Sequence, residues 1–294
     1  MAFGRKWVGR MAAPVGKIRI HPIPSEIQKP ISNELFWYSI GLVKLERRLN
    51  GEEAEILGSG TLVAIEGAFG ILTAQHVTEC VRNVPEIGLV VSEEIHQYPI
   101  ETKYLHIIDV AKPTEPSADA DLSIIILPNN LLGTLNARKS FFNISQKREE
   151  VLGNPLQLDL GVWVLFGFVQ EKTVTEGPKG GYAIIKGFHG QFGFTGITKY
   201  YEQGEYDFWE VGVDYKFNGT LPITFGGTSG GGLWQVHVTG SKEDGFQIQR
   251  RILMGVAFYE TEIRNNIRYV RCNGPRTIYE ITPKIVKQNV YTVN

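Results

Sequence analysis

The sequence predicts an all-β chain closed by a short C-terminal helix. Thirty-three glycines recur between short apolar runs, which is the punctuation of turns and strands rather than of long helices. Several of those runs are rich in β-branched and aromatic residues and alternate in polarity. Near the end, Thr282-Pro283 combines an N-cap residue with a proline at the first helical position, which opens a helix.

Taken in order, residues 1–34 are basic and then proline-rich. Pro14, Pro22, Pro24 and Pro30 remove backbone donors and rule out one long helix, so the segment reads as an N-terminal extended arm. Residues 36–45 form an apolar, aromatic strand, and Asn50-Gly51 is a hairpin signal. Residues 54–65 continue as a strand, 67–69 turn, and 70–73 form a short strand leading to His76. One or two helical turns over 77–83 follow. Further strands are expected at 89–91, 98–100, 104–110 and 121–127. Residues 128–154 are more polar and read as a surface connection holding the domain junction. Residues 162–169 are a strongly apolar strand, and 172–181 a charged, glycine-rich loop. Strands are expected again over 182–187, 190–195, 209–215, 232–239 and 252–259. The domain reading is an arm over 1–34, a first β unit over 35–135, a second over 136–265, and a helix and tail over 266–294.

The composition is that of an ordinary globular chain, 43% hydrophobic and 21% charged over 294 residues, so a sizeable core can be buried. A net charge of −1 supplies no field for nucleic acid or an anionic membrane. The basic N-terminus is followed by no apolar run of signal-peptide length, and no stretch approaches a membrane span. Cys80 and Cys272 are the only cysteines, and both read as free thiols. Together these features lead to an expected cytoplasmic location. No metal spacing of Cys and His is present, and no cofactor is expected.

Chemistry concentrates in three places. Residues 224–234 read Thr-Phe-Gly-Gly-Thr-Ser-Gly-Gly-Gly-Leu-Trp, which crowds glycines around Ser229. Such a loop can present a hydroxyl and backbone N–H donors to one bound atom, as acyl transfer requires. Upstream, Gly58-Ser59-Gly60 opens two β-rich runs that end on Thr73-Ala74-Gln75-His76. Between them, Asp119-Ala120-Asp121 introduces an apolar strand.

The order His, Asp, Ser and the three local motifs resemble the trypsin-like (chymotrypsin-fold) serine protease family. Thr73-Ala74-Gln75-His76 is similar to its Thr-Ala-Ala-His, Asp121-Leu122-Ser123-Ile124-Ile125 to its Asp-Ile-Ala-Leu-Leu, and Gly227-Thr228-Ser229-Gly230-Gly231 to its Gly-Asp-Ser-Gly-Gly. The resemblance spans roughly residues 36–262 and implies two six-stranded Greek-key β-barrels with a C-terminal helix. It implies a catalytic triad of His76, Asp121 and Ser229, with Gly227 and Ser229 supplying the oxyanion-hole amides. Asp119 competes with Asp121, but the family pattern begins at Asp121. A peptide or protein substrate is implied, and a regulatory protein partner is an open alternative.

The chain departs from the family pattern at several positions. Thr228 stands where the family commonly has the aspartate that pairs with a freshly cut N-terminus, so zymogen-type activation is not expected. Gly255-Val256-Ala257-Phe258-Tyr259-Glu260 resembles the strand that binds substrate backbone. Phe258 replaces a serine that supports the catalytic acid, and Glu260 replaces a glycine at the pocket wall and is expected to narrow the pocket. Ile223, beside Thr224, takes the place of the pocket-floor aspartate of basic-specific members, which implies an apolar floor and an uncharged side chain before the cut. A binding module that lost activity is the alternative from another class. An esterase is a third reading, disfavoured because such hydrolases place Asp and His after Ser.

Overall fold

The structure is a computed structural model. It describes all residues except 1–24, 49–50, 92–96, 155–160, 173, 180–181, 187–192, 195, 217–220, 242, 244 and 292–294. It is mostly β. In chain order the first half runs α1 (Ser25–Phe36), β1 (Ser39–Arg48), β2 (Gly51–Ile65), β3 (Ala68–Thr73), α2 (Gln75–Arg82), β4 (Glu86–Val90), β5 (Gln97–Glu101), β6 (His106–Ala111) and β7 (Leu122–Ile126). A connection follows with α3 (Asn129–Asn136), β8 (Phe142–Asn143) and α4 (Ile144–Leu152). The second half holds β9 (Val162–Phe166), β10 (Val174–Lys179), β11 (Tyr182–Lys186), β12 (Gly193–Phe194), β13 (Gly196–Gln203), β14 (Tyr206–Asp214), β15 (Gly232–Ser241), β16 (Gly245–Glu260), β17 (Ile267–Asn273) and α5 (Thr282–Tyr291).

The strands form two main sheets. One runs β5-β4-β1-β2-β3-β7-β6, with β8 alongside β2; the other runs β12-β9-β15-β16-β17-β14-β13. Strands β10 and β11 pair as a separate hairpin. One sheet curls into a half-barrel. The sheets are therefore larger than the six strands expected of each. Strand β5 of the first sheet contains Pro99, which cannot donate to a ladder, and β5 lies at the sheet edge, where a missing donor is tolerated.

The apolar runs of the first half are continuous because that sheet is buried on both faces. Leu62, Ile71 and Ile125 point into one core, with Val77, Ile87 and Leu89. Their chain neighbours Val63, Leu72 and Ile124 point into another, shared with Trp209, Val211 and Leu253 of the second sheet. Alternation of side chains along each strand thus feeds two cores from one sequence run.

Four local expectations are corrected. The described part of the N-terminal arm is helix α1, with Pro30 inside it. The lost proline donor is outweighed because Ile31 and Leu35, one turn apart, are wholly buried, and the Ser39 hydroxyl donates to the Leu35 carbonyl. Residues 1–24 lie outside the described residues. The connection over 128–154 contains α3, β8 and α4 rather than loop alone, and Asn143 caps α4 by accepting from Gln146 N–H at 2.9 Å. Part of the expected loop over 172–181 is strand β10. Thr282 does not cap the final helix, because helical turns already begin at residue 275. The cap comes from Asp207 on β14, which accepts from Arg276 N–H at 2.9 Å and Thr277 N–H at 2.7 Å. Among the described residues no helix is long and apolar enough to cross a membrane.

Ser59 stitches the two halves together. It is wholly buried on β2, donates to the Gly227 carbonyl at 2.7 Å and accepts from Phe168 N–H at 2.7 Å. Replacing it with alanine orphans both groups. Ser59→Ala is expected to destabilise the fold by about 1–3 kcal/mol in urea unfolding; a change below 0.5 kcal/mol on that roughly 1 kcal/mol scale overturns the stitch. The thiols give a second expectation. Cys80 is exposed and Cys272 buried, and burial pushes the Cys272 thiol well up. A thiol reagent should modify one cysteine per native chain and the second only on unfolding; two rapidly reacting thiols, or none, contradict this.

Candidate active site

His76 stands in the first turn of α2 rather than at a strand end. Helix starts leave backbone N–H groups without partners. Here the Asp121 carboxylate, arriving just before β7, fills that need. Its Oδ1 accepts from the N–H groups of Gln75 and His76, the latter at 3.2 Å. Its Oδ2 lies 2.6 Å from His76 Nδ1. Asp121 is 2% exposed, while the His76 side chain is 44% exposed. The carboxylate thus sits in the interior and the imidazole opens to solvent. With Nδ1 turned to Asp121, Nε2 is the nitrogen free to face a reacting group.

Asp119 does different work. Its Oδ2 accepts from the N–H groups of Thr114 and Glu115 at 2.9 and 2.8 Å, and it closes a turn.

The second sheet supports Asp121 from behind. Asn273 of β17 is buried and donates from Nδ2 to the Asp121 main-chain carbonyl at 2.9 Å. No local pattern marks Asn273 in the sequence, because its partner lies 152 positions away. Phe258, expected near the catalytic acid, is buried and packs on Phe208 with ring centroids 6.0 Å apart. Its side chain offers no surface to a substrate.

Ser229 lies on a tight loop before β15. The loop is knotted by short bonds: Thr228 N–H to Phe225 O at 2.8 Å, Gly231 N–H to Thr228 O at 2.7 Å, and Gly230 N–H to Ala257 O at 2.7 Å. Gly230 has φ of 90°, and a Cβ there would lie 2.0 Å from the Ser59 carbonyl oxygen. Only glycine fits. Among the described residues, neither Gly227 N–H nor Ser229 N–H has an acceptor. Two donors two residues apart are therefore left open on one loop.

The loop meets the His76 helix through Gly58. The Ser229 carbonyl accepts from Ser59 N–H at 2.8 Å. A Cβ on Gly58 would sit 3.1 Å from that carbonyl and 2.6 Å from Val77 Cγ2. Ser229 and the residue following His76 thus both close on the space that a Gly58 side chain would fill. Among the described residues no hydrogen bond joins the Ser229 hydroxyl to His76.

The expected pocket residues divide. Ile223, expected at an apolar floor, is 75% exposed, and its main chain is held at the N–H by Glu171 and at the carbonyl by Arg268. Thr224 and Glu260 meet directly, the Thr224 hydroxyl donating to Glu260 Oε1 at 2.5 Å. Glu260 also accepts from Phe225 N–H at 2.9 Å and pairs with Arg268 at 2.6 Å. Tyr259 is half-buried beneath the Arg271 guanidinium, 5.9 Å from its ring centre. Glu171, Arg268 and Asn273 were not singled out by the sequence. Among the described residues no group of three His, Cys, Asp or Glu is placed to hold a metal ion. A cavity of about 410 Å³ lies elsewhere, at the β5 edge between Tyr98, Tyr104 and Pro128.

No family model and no curated protein matches the chain. Solved structures do match. One is a chain from a structure concerning the coupled folding and binding of the intrinsically disordered Sesbania mosaic virus VPg protein. It is 13% identical over 86% of this chain and 90% of that one, with a TM-score of 0.37. At that similarity the functional reading stands on the geometry above.

Proposed function

We propose that the chain is a serine endopeptidase using Ser229, His76 and Asp121, built on two Greek-key β-barrels that pack side by side. The observation that carries the reading is the 2.6 Å contact between His76 Nδ1 and the buried Asp121 carboxylate. A buried carboxylate spending one oxygen on an imidazole and the other on backbone amides fixes both the tautomer and the direction of the ring. The barrel assignment is supported by the sheet order, in which β3 is followed across the sheet by β7 and then β6.

In this mechanism the Ser229 hydroxyl attacks the carbonyl carbon of a peptide bond and gives its proton to His76 Nε2. Asp121 stabilises the imidazolium formed. The carbonyl oxygen becomes an oxyanion and accepts from Gly227 N–H and Ser229 N–H. His76 then returns the proton to the departing amine, which leaves an acyl-serine. Water then attacks the acyl carbon and gives a proton to His76; the bond from that carbon to Ser229 Oγ breaks, His76 returns the proton to Oγ, and the acid leaves. Peptides or proteins are the substrates, no cofactor takes part, and no N-terminal cleavage is needed. Two unpaired cysteines support a reducing, cytoplasmic setting.

A fluorophosphonate probe tests the reading. The wild-type chain is expected to be labelled once, and Ser229→Ala not at all. Asp121→Asn should slow labelling and cleavage by about 10⁴-fold through the wrong histidine tautomer, whereas Asp119→Asn should leave both within a few-fold. Undiminished labelling of Ser229→Ala removes the mechanism. A wild-type chain that is never labelled favours the alternative, a binding module on the same scaffold.

A further inference from the structure

We propose that Glu171, Glu260 and Arg268 form a charged clamp that holds residues 222–226 so that Gly227 and Ser229 present their N–H groups to an oxyanion. This rests on the serine-peptidase reading above. The three side chains come from three separate elements: a helical turn after β9, the end of β16, and the start of β17. They converge on one short backbone segment. Glu171 accepts from Ile223 N–H at 2.9 Å and from Thr224 N–H at 2.8 Å. Glu260 accepts from the Thr224 hydroxyl and from Phe225 N–H at 2.9 Å. Arg268 Nη1 donates both to the Ile223 carbonyl and to Glu260 Oε2. It thus bridges the carboxylate and the segment that the carboxylate holds.

Uncharged groups complete the hold. The Tyr215 hydroxyl donates to the Pro222 carbonyl at 2.8 Å, and Gln170 N–H to the Gly226 carbonyl at 2.8 Å. The segment then hands its geometry on. Phe225, fixed at its N–H by Glu260, accepts at its carbonyl from Thr228 N–H at 2.8 Å. That turn spans Gly227 and aims the Gly227 and Ser229 amides. These two have no acceptor among the described residues, whereas the N–H groups of residues 223, 224, 225, 226 and 228 all do. The clamp thus takes the donors of residues 223–225, the Thr224 hydroxyl and the Phe225 carbonyl take those of 226 and 228, and the two are left open.

Arg268 shows that the arrangement is not made for stability alone. Its side chain is 11% exposed, and its Nε is buried without a partner among the described residues. A guanidinium that gives up solvent and leaves a donor unpaired is a costly way to join two loops. It is explained where a loop must be held in one geometry.

Arg268, Glu260 and Glu171 are therefore positioning residues, and none is required to touch the reacting atoms. The test compares wild type, Arg268→Ala and Glu171→Ala with a fluorophosphonate probe, whose phosphoryl oxygen needs the same two amides. Arg268→Ala is expected to slow the maximal labelling rate on the order of 100-fold, with the probe's half-saturating concentration unchanged within about twofold. Added guanidinium ion should restore much of the rate. Labelling of Arg268→Ala at the wild-type rate overturns the proposal, as does an equal loss that guanidinium does not rescue in a variant that melts like wild type. If Arg268→Ala fails to fold, Glu171→Ala decides, since Glu171 is exposed. Slower labelling with unchanged melting supports the clamp, and the wild-type rate overturns it. A wild-type chain that is not labelled removes the peptidase reading and this inference with it.

Discussion

The carboxylate of Asp121 is the constraint on which the rest of the site depends. A carboxylate 2% exposed to solvent must have every lone pair direction answered, because an uncompensated buried charge costs about 3–5 kcal/mol. Two of its partners are the N–H groups that open α2, so the acid and the helix start solve each other's problem. The third partner is His76 Nδ1. His76 can reach it only because the helix begins at Gln75, one residue before it. The place where the helix starts and the direction of the His76 ring both follow from one buried group.

A second constraint is closeness. The Gly58-Ser59-Gly60 run and the glycines around Ser229 are two halves of one contact between the sheets. The Ser229 carbonyl bonds to Ser59 N–H, and Gly230 lies where any side chain would collide with the Ser59 carbonyl. Glycine richness there reflects a backbone packed against backbone. It holds the serine loop against β2, beside the helix that carries His76, rather than loosening it.

This explains what the sequence could and could not reveal. Strands were legible where alternation fed two cores, as over residues 61–65 and 122–126, and the glycine motifs were legible because close approach tolerates no other residue. Elements fixed by distant partners were not. Helix α1 survives Pro30 through burial of Ile31 and Leu35 against the body of the protein, and the final helix is capped by Asp207 from 69 and 70 positions away. Ile223 reads as an apolar floor in sequence, yet Glu171 and Arg268 grip its main chain and turn its side chain outward. Asn273 behind Asp121 carries no local signal at all.

The charged groups around residues 222–226 show why position and stability must be weighed separately. Exposed ion pairs contribute about 0–1 kcal/mol, and partly buried pairs often break even against desolvation. The Glu260–Arg268 pair, with side chains 28% and 11% exposed, belongs to the second kind. Its net effect on folding is therefore small beside the apolar cores. A transition-state donor is another matter, because one well-placed amide is worth roughly 100-fold or more in rate, or about 3 kcal/mol. Interactions that nearly cancel in the folding balance can still decide where such an amide points. On the peptidase reading proposed above, three charged side chains gathered on five backbone residues are geometry maintained at little net gain in stability.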